Sequence, residues 1–194
     1  MARRKPAAAS WAQCKTVLKD WPKPGLISLI HELYNASEEN RRFLHARLLP
    51  QAAGQTLAEA ERAIKRLLSV SAAFNGRFRH ADAKRVVDQF EKATDDPALV
   101  ADLLLADLEM SYKTFSEIGD DVPIVDHIYS TMNRLEKTLA RLPPGFLVSR
   151  ASRLNRLAER WDGQFGYGLS DELVAFAADW NERAGKDGAP EEAS

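Results

Sequence analysis

Hydrophobic residues recur along the chain every three to four positions, in pieces of helical length that end at proline, glycine or an Asn-Gly pair. This spacing places apolar side chains on one face of an α-helix. No segment shows the period-two alternation that is typical of a half-buried strand. The pattern predicts an all-α fold, either an irregular multi-helix bundle or a short α-solenoid of eight to nine helices.

Stop and start residues predict where each helix lies. Ser37 and Asp96 are expected to cap the third and sixth helices, and Thr56 with Glu59 is expected to form a capping box that opens the fourth. The predicted ranges are 10–21, 26–34, 37–50, 56–68 (or to 74), 81–93, 97–119, 122–142, 146–161 and 170–183. The sixth helix is the most apolar and is predicted to be central.

Length and composition predict one folded domain. With 194 residues, 45% of them hydrophobic, the chain can bury a core of its own. No linker separates two cores, so we expect one helical domain over residues 9–184, with flexible tails at 1–8 and 185–194. No apolar run resembles a signal peptide or a membrane span, and we expect no membrane partner.

Cys14 is the only cysteine, so the chain forms no internal disulfide and suits a reducing cytoplasm. It lies on the apolar face of the first helix together with Trp11, Val17, Leu18 and Trp21. This placement predicts a core thiol rather than a nucleophile.

Charge is distributed unevenly along the chain. Residues 1–85 carry 16 basic and 7 acidic side chains, a net charge of +9, whereas residues 86–194 carry 11 and 21, a net charge of −10. Either the two halves attract each other within one fold or one dimer, or the basic half binds an anionic partner. We favour the first interpretation, since the total charge of −1 and the absence of a nucleic-acid-reading motif disfavour nucleic acid.

Asp107 lies in the middle of the apolar arc of the sixth helix. A buried carboxylate is costly unless it is paired or hydrogen-bonded, and burial raises its pKa. One interpretation is a structural hydrogen bond to Ser111, to Thr114 or to an arginine of a neighbouring helix. The other is a catalytic carboxylate. Structural networks perturb buried acids as readily as active sites do, and we favour the structural interpretation.

Four arginines of the eighth helix form a stripe about 120° wide. They are Arg150, Arg153, Arg156 and Arg160. The stripe can pair with the chain's own acidic stretch between residues 88 and 126, bind a protein partner, or grip phosphates. The intramolecular pairing is favoured, and the four residues are also the candidate partner-binding set.

A second candidate set consists of residues that could line a pocket: Asp107, Glu109, Asp120, Phe165 and Tyr167. Phe165 and Tyr167 lie in a glycine-rich loop, where they can plug the core or line a groove, and we favour the core. Glu109, Glu117 and Asp120 could hold a metal, but the four histidines are scattered, so we predict no metal site. No cofactor is predicted, because the loop glycines do not follow a strand.

Several short motifs lie between residues 80 and 170. They are Phe90-Glu91-Lys92-Ala93-Thr94, Asp96-Pro97, Ala101-Asp102-Leu103, Gly119-Asp120 and Phe165-Gly166-Tyr167-Gly168. In these motifs the chain resembles a bacterial family catalogued only as a domain of unknown function, and the resemblance implies an all-helical bacterial protein without an established activity. The chain departs from that family at Asp107, where the family has an aromatic residue, and at Phe165, where tryptophan is commoner.

Three functional hypotheses follow from these patterns. The leading one is a cytoplasmic helical scaffold that binds another protein or its own copy, with the arginine stripe as the polar contact. The alternative is an enzyme with a buried carboxylate site at Asp107, or at Glu109 and Asp120. A weaker alternative is nucleic-acid binding by the basic N-terminal half.

Overall fold

A computed structural model of the chain describes residues 10–49, 53–74, 79–119, 122–166 and 168–187. The regular secondary structure of these residues is entirely α-helical, which confirms the predicted fold class. Nine helices of nine residues or more and one of five residues succeed each other. They are α1 (Trp11–Lys19), α2 (Lys23–Ala36), α3 (Glu38–Leu48), α4 (Ala53–Leu67), α5 (Val70–Phe74), α6 (His80–Ala93), α7 (Pro97–Ile118), α8 (Val122–Leu139), α9 (Pro144–Trp161) and α10 (Leu169–Asp187).

Two of the predicted N-caps are present. The Ser37 hydroxyl accepts a hydrogen bond from the backbone N–H of Asn40 at 3.1 Å. The Asp96 carboxylate accepts one from the backbone N–H of Ala98 at 2.8 Å. Each cap satisfies an amide that has no partner inside the helix, which explains why α3 and α7 begin where the sequence predicts.

The predicted capping box at Thr56 is wrong. Helix α4 has already begun at Ala53, so Thr56 lies inside it and is buried. A threonine can lie within a helix when its side chain packs against the core, and here burial outweighs its preference for a cap.

The break between α4 and α5 also has a tertiary cause. The hydroxyl of Thr114, a buried residue of α7, donates a hydrogen bond to the backbone carbonyl of Leu68, just beyond the end of α4. The Ser69 hydroxyl then accepts from the backbone N–H of Ala72 at 3.1 Å and starts α5. The Leu68 carbonyl at the end of α4 thus finds its hydrogen-bond donor in a side chain 46 residues away in sequence.

The remaining helix ends differ from the predictions by a few residues. Helix α8 stops at Leu139, before the predicted Leu142, and α9 already begins at Pro144. Helix α10 continues to Asp187, so residues 185–187 are helical rather than part of a tail. The rest of the predicted C-terminal tail and the whole predicted tail at residues 1–8 lie outside the described residues.

Helix α7 is the centre of the fold, as predicted. Twelve of its residues are buried, and α4, α5, α6, α8 and α9 all pack against it. Helix α10 completes the bundle by packing on α9. Leu103, Leu105 and Leu108 are fully buried, and burial of each such side chain contributes about 1.5–3 kcal/mol.

Helices α1 to α3 lie outside this core. No described residue between 10 and 49 is buried, although many of them are apolar. Trp11, Val17 and Ile27, for example, are 70%, 58% and 56% exposed. Cys14 is exposed as well, so the prediction of a core thiol is wrong. The periodicity of α1 defines an apolar side, but within the described part of the chain Trp11 and Val17 on that side remain exposed. None of the described helices is long and apolar enough to cross a membrane.

Candidate functional site

Asp107 and His127 form a buried pair between α7 and α8. The Nε2 atom of His127 lies 2.7 Å from Oδ1 of Asp107, and the two residues are only 7% and 1% exposed. The hydroxyl of Ser111 donates to the same carboxylate oxygen at 3.1 Å. The predicted bond to Ser111 is therefore confirmed, whereas the neighbouring helix contributes a histidine instead of the expected arginine. Thr114 donates to the backbone carbonyl of Leu68 instead.

The pair lies on the wall of a cavity of about 260 Å³ between α6, α7 and α8. Polar and ionisable side chains line much of this cavity: Lys84, Asp107, His127, Ser130, Thr131, Asn133, Arg134 and Lys137. Arg134 is anchored by ion pairs to Asp88, at 2.6 Å, and to Glu91. An imidazole that is oriented by a buried carboxylate can take up or release a proton at its other nitrogen. The sequence did not associate His127 with Asp107.

Two arginines of the predicted stripe are paired with acids of the chain itself. Arg150 contacts the Asp102 carboxylate at 2.6 Å. Arg153 binds both carboxylate oxygens of Glu109, at 2.6 and 2.8 Å, and this hydrogen bonding raises the pKa of Arg153 while its burial acts in the opposite direction. The predicted pairing of the stripe with acids of the same chain is therefore confirmed for Arg150 and Arg153. Glu109, one of the predicted pocket residues, is the partner of Arg153.

The other half of the stripe faces solvent. Arg156 and Arg160 are exposed on α9 and line a groove of about 600 Å³ between α4, α7 and α9. Lys65 of α4 and Lys113 of α7 line the same groove. The stripe is thus divided into an internal half and a half that forms part of a basic surface.

The five predicted pocket residues do not form one site. Phe165 packs against the rings of Tyr112, Phe115 and Trp161, with centroids 5.0–5.6 Å apart, which confirms that it plugs the core. Asp107 lines the α6–α8 cavity, whereas Glu109 lines the groove beside α9. Asp120 and Tyr167 lie outside the described residues.

A buried tyrosine connects α7 to the start of α10. The hydroxyl of Tyr112 donates to the backbone carbonyl of Leu169 at 3.2 Å. Burial, and secondarily the nearby Tyr129 and Glu172, raises the pKa of Tyr112 far above its usual range. Burial and Glu172 also raise the pKa of Tyr129. Both phenols therefore keep their protons to a higher pH than a free tyrosine does.

The sequence did not predict as a site the exposed apolar surface of the first two helices. We call this surface the N-terminal apolar face; it consists of Trp11, Val17, Trp21, Ile27, Ile30 and Leu33 of α1, α2 and the turn between them, which are 42–70% exposed. Its side chains recur at helical spacing, so the sequence shows an amphipathic pattern, but such a pattern looks the same whether the apolar side meets a core or solvent.

Among the described residues, no three histidine, cysteine, aspartate or glutamate side chains lie close enough together to hold a metal ion. Comparison of the chain with models of protein families, with curated proteins and with solved structures finds no match. The resemblance of residues 80–170 to a bacterial family stays a prediction.

Proposed function

We propose that this protein is a protein–protein interaction module that associates with a second copy of itself through the N-terminal apolar face. The observation that carries the proposal is that α1 and α2 bury no residue in their own chain, although α2 alone contains six apolar side chains larger than alanine or proline, counting Tyr34. The scaffold hypothesis from the sequence used the arginine stripe as the polar contact with a partner. The stripe has a smaller role in this proposal, since Arg150 and Arg153 pair with acids of their own chain.

Isolated helices of this length need a neighbour. Helices shorter than about 12–15 residues are marginal in water, and helices in proteins are stabilised mainly by the packing of an apolar face. Helix α1 has 9 residues and α2 has 14. Their packing within the chain is limited, because α2 packs mainly on α3; α3 in turn packs on α4 and α6 but has no described buried residue. A partner that covers the apolar face would supply the missing packing.

A second copy is the occupant that best fits this face. Residues 10–36 carry three lysines and two acids, so two copies can approach without strong repulsion. Interfaces between identical chains are more apolar than transient ones, and a two-fold arrangement covers both faces at once. The six side chains expose on the order of 600 Å², close to the roughly 800 Å² per partner of a stable interface.

The test is the molar mass in solution of the protein and of two variants. Ile27→Glu with Ile30→Glu places charges in the proposed interface, whereas Val148→Glu with Val174→Glu places them on equally exposed positions of α9 and α10. Light scattering after size exclusion should give twice 21.7 kDa for the wild type and the control, and 21.7 kDa for the face variant. A monomeric wild type, or a face variant that still dimerises, would contradict the proposal. Circular dichroism checks that the helices persist.

The Asp107–His127 pair supports a second candidate, an enzyme that uses acid–base chemistry in the α6–α8 cavity. The specific observation is the 2.7 Å contact of a buried carboxylate with an imidazole that lines a polar cavity. Hydrolysis of p-nitrophenyl acetate and p-nitrophenyl phosphate tests it, with His127→Gln as the variant. A turnover that falls about 100-fold or more in the variant supports this candidate, and equal rates count against it.

The cellular setting is also part of the proposal. The resemblance of residues 80–170 to a bacterial family supports a bacterial origin. The exposed, single thiol of Cys14 suits the reducing cytoplasm, where such a thiol is kept from forming a disulfide with another chain.

A further inference from the structure

We propose that the groove between α4, α7 and α9 binds a small organic anion, namely a phosphorylated molecule with a planar, apolar body and about the size of a nucleotide. This site is separate from the N-terminal apolar face, and the inference does not rest on self-association. It rests on the charge of the rim, on the apolar floor and on the dimensions of the groove.

The rim of the groove has an excess of positive charge. Lys65, Lys113, Arg156 and Arg160 are all exposed there and come from three different helices. Arg153 also lines the groove, but its charge is balanced by the bidentate contact with Glu109. Glu61 is the remaining acid among the described lining residues, so these residues carry three positive charges in excess. Such a cluster attracts anions and supplies several N–H donors for phosphate oxygens.

The two exposed arginines are held in place by contacts within α9. The guanidinium of Arg160 lies over the ring of Trp161, with its carbon 4.8 Å from the ring centroid. Arg156 donates to the hydroxyl of Ser152 at 3.0 Å. Both guanidiniums keep further donors for a ligand, and their orientation costs less entropy on binding than that of free side chains.

The floor of the groove is apolar. It is formed by Ala106 and Met110 of α7 and by Leu157 and Trp161 of α9. Trp161 is buried beneath Arg160 and closes the bottom of the groove, whereas Met110 is only partly buried. The thioether of Met110 can pack against a flat ring. A cationic rim around such a floor is suited to a molecule that has an anionic end and a planar, apolar body, rather than to inorganic phosphate alone.

The dimensions favour a small molecule over a macromolecule. The groove volume of about 600 Å³ lies within the range of small-molecule sites. Its lining on α7 runs from Ala106 to Lys113, a distance of about 10 Å at the helical rise. A nucleotide fits this length, whereas a nucleic-acid strand or an acidic helix of several turns would extend far beyond the cationic rim.

Calorimetric titration of the full chain with ATP, inorganic triphosphate and adenosine tests the inference. ATP should bind most tightly, because it alone combines the phosphates with a planar body, and the other two ligands should each bind at least about tenfold more weakly. In the Arg156→Gln/Arg160→Gln variant, ATP affinity should fall by about tenfold or more.

Arg183→Gln is the matched control, because Arg183 is stacked on Trp180 at 4.7 Å and pairs with Asp179 outside the groove. This control should bind ATP like the wild type. No binding of ATP, equal binding in the groove variant, or equal affinities for ATP and triphosphate would overturn the inference. The variant of the N-terminal apolar face should retain ATP binding, so that failure of the self-association proposal is distinguishable from failure of this one.

Discussion

At the scale of single residues, Asp107 is a buried polar group that links two helices of the core. It receives hydrogen bonds from two helices, through Ser111 and His127, and is almost completely buried. Loss of one partner of a buried pair leaves the other partner desolvated and without compensation.

A double-mutant cycle tests this dependence. Asp107→Ala is expected to lower the free energy of unfolding by about 3–5 kcal/mol. Because His127→Ala removes the same contact, the double variant should lose less than the sum of the two single losses, by about 1–3 kcal/mol. Urea denaturation followed by circular dichroism measures each value. Strict additivity would show that the two side chains are not coupled.

Tyr112 leads to a pH prediction. Its raised pKa means that the folded protein keeps the phenol proton to a higher pH than the unfolded chain, in which a tyrosine ionises near pH 10. The contribution of the Tyr112 phenol to the free energy of unfolding is therefore fully present below about pH 10. It is lost as the pH rises from there towards the pKa of Tyr112 in the folded protein. Tyr112→Phe should therefore show a shallower loss of stability above pH 10 than the wild type. Equally steep losses in urea denaturations across pH 9–11 would contradict the assignment.

Part of this chemistry could be predicted from the sequence. Ser111 lies one helical turn after Asp107, so spacing alone predicted their contact. His127 lies 20 residues away on another helix, and its approach depends on how α7 and α8 pack. Spacing along one helix carries no information about such packing. The same limit explains why Arg150 and Arg153 could not be assigned to Asp102 and Glu109 in advance.

At the scale of the helices, local rules predicted the starts at which a capping side chain acts. Ser37 and Asp96 cap their helices through contacts made within a few residues. The end of α4 depends instead on Thr114, which binds the Leu68 carbonyl from another helix. The capping box at Thr56 failed for a related reason, since the burial of this residue in the core decided its position.

Thr114→Val tests this tertiary end of α4. The change keeps the shape of the side chain but leaves the buried Leu68 carbonyl without its hydroxyl donor, which should cost about 1–3 kcal/mol. Thr16→Val is the matched control, because the Thr16 hydroxyl bonds to the Ala12 carbonyl on the exposed surface of α1. The control should change the free energy of unfolding by less than about 0.5 kcal/mol. Similar losses in both variants would argue against a special role for Thr114.

At the scale of the whole molecule, the chain divides into a core of α4 to α10 and a leading segment, α1 to α3, without described buried residues. The all-α class and the central position of α7 were predictable, because periodicity and apolar content determine them. The uncovered state of the N-terminal apolar face was not predictable, since an apolar pattern does not identify what covers it. The groove beside α9 also depends on the packing of three helices.

Hydrogen exchange measured at several protein concentrations tests the central claim most directly. If a second copy covers the N-terminal apolar face, amides of α2 should be protected at high concentration and should exchange faster on dilution, because dissociation removes their packing. Amides of α7, inside the core, should exchange at the same rate throughout. Exchange of α2 that does not depend on concentration would contradict self-association through this face.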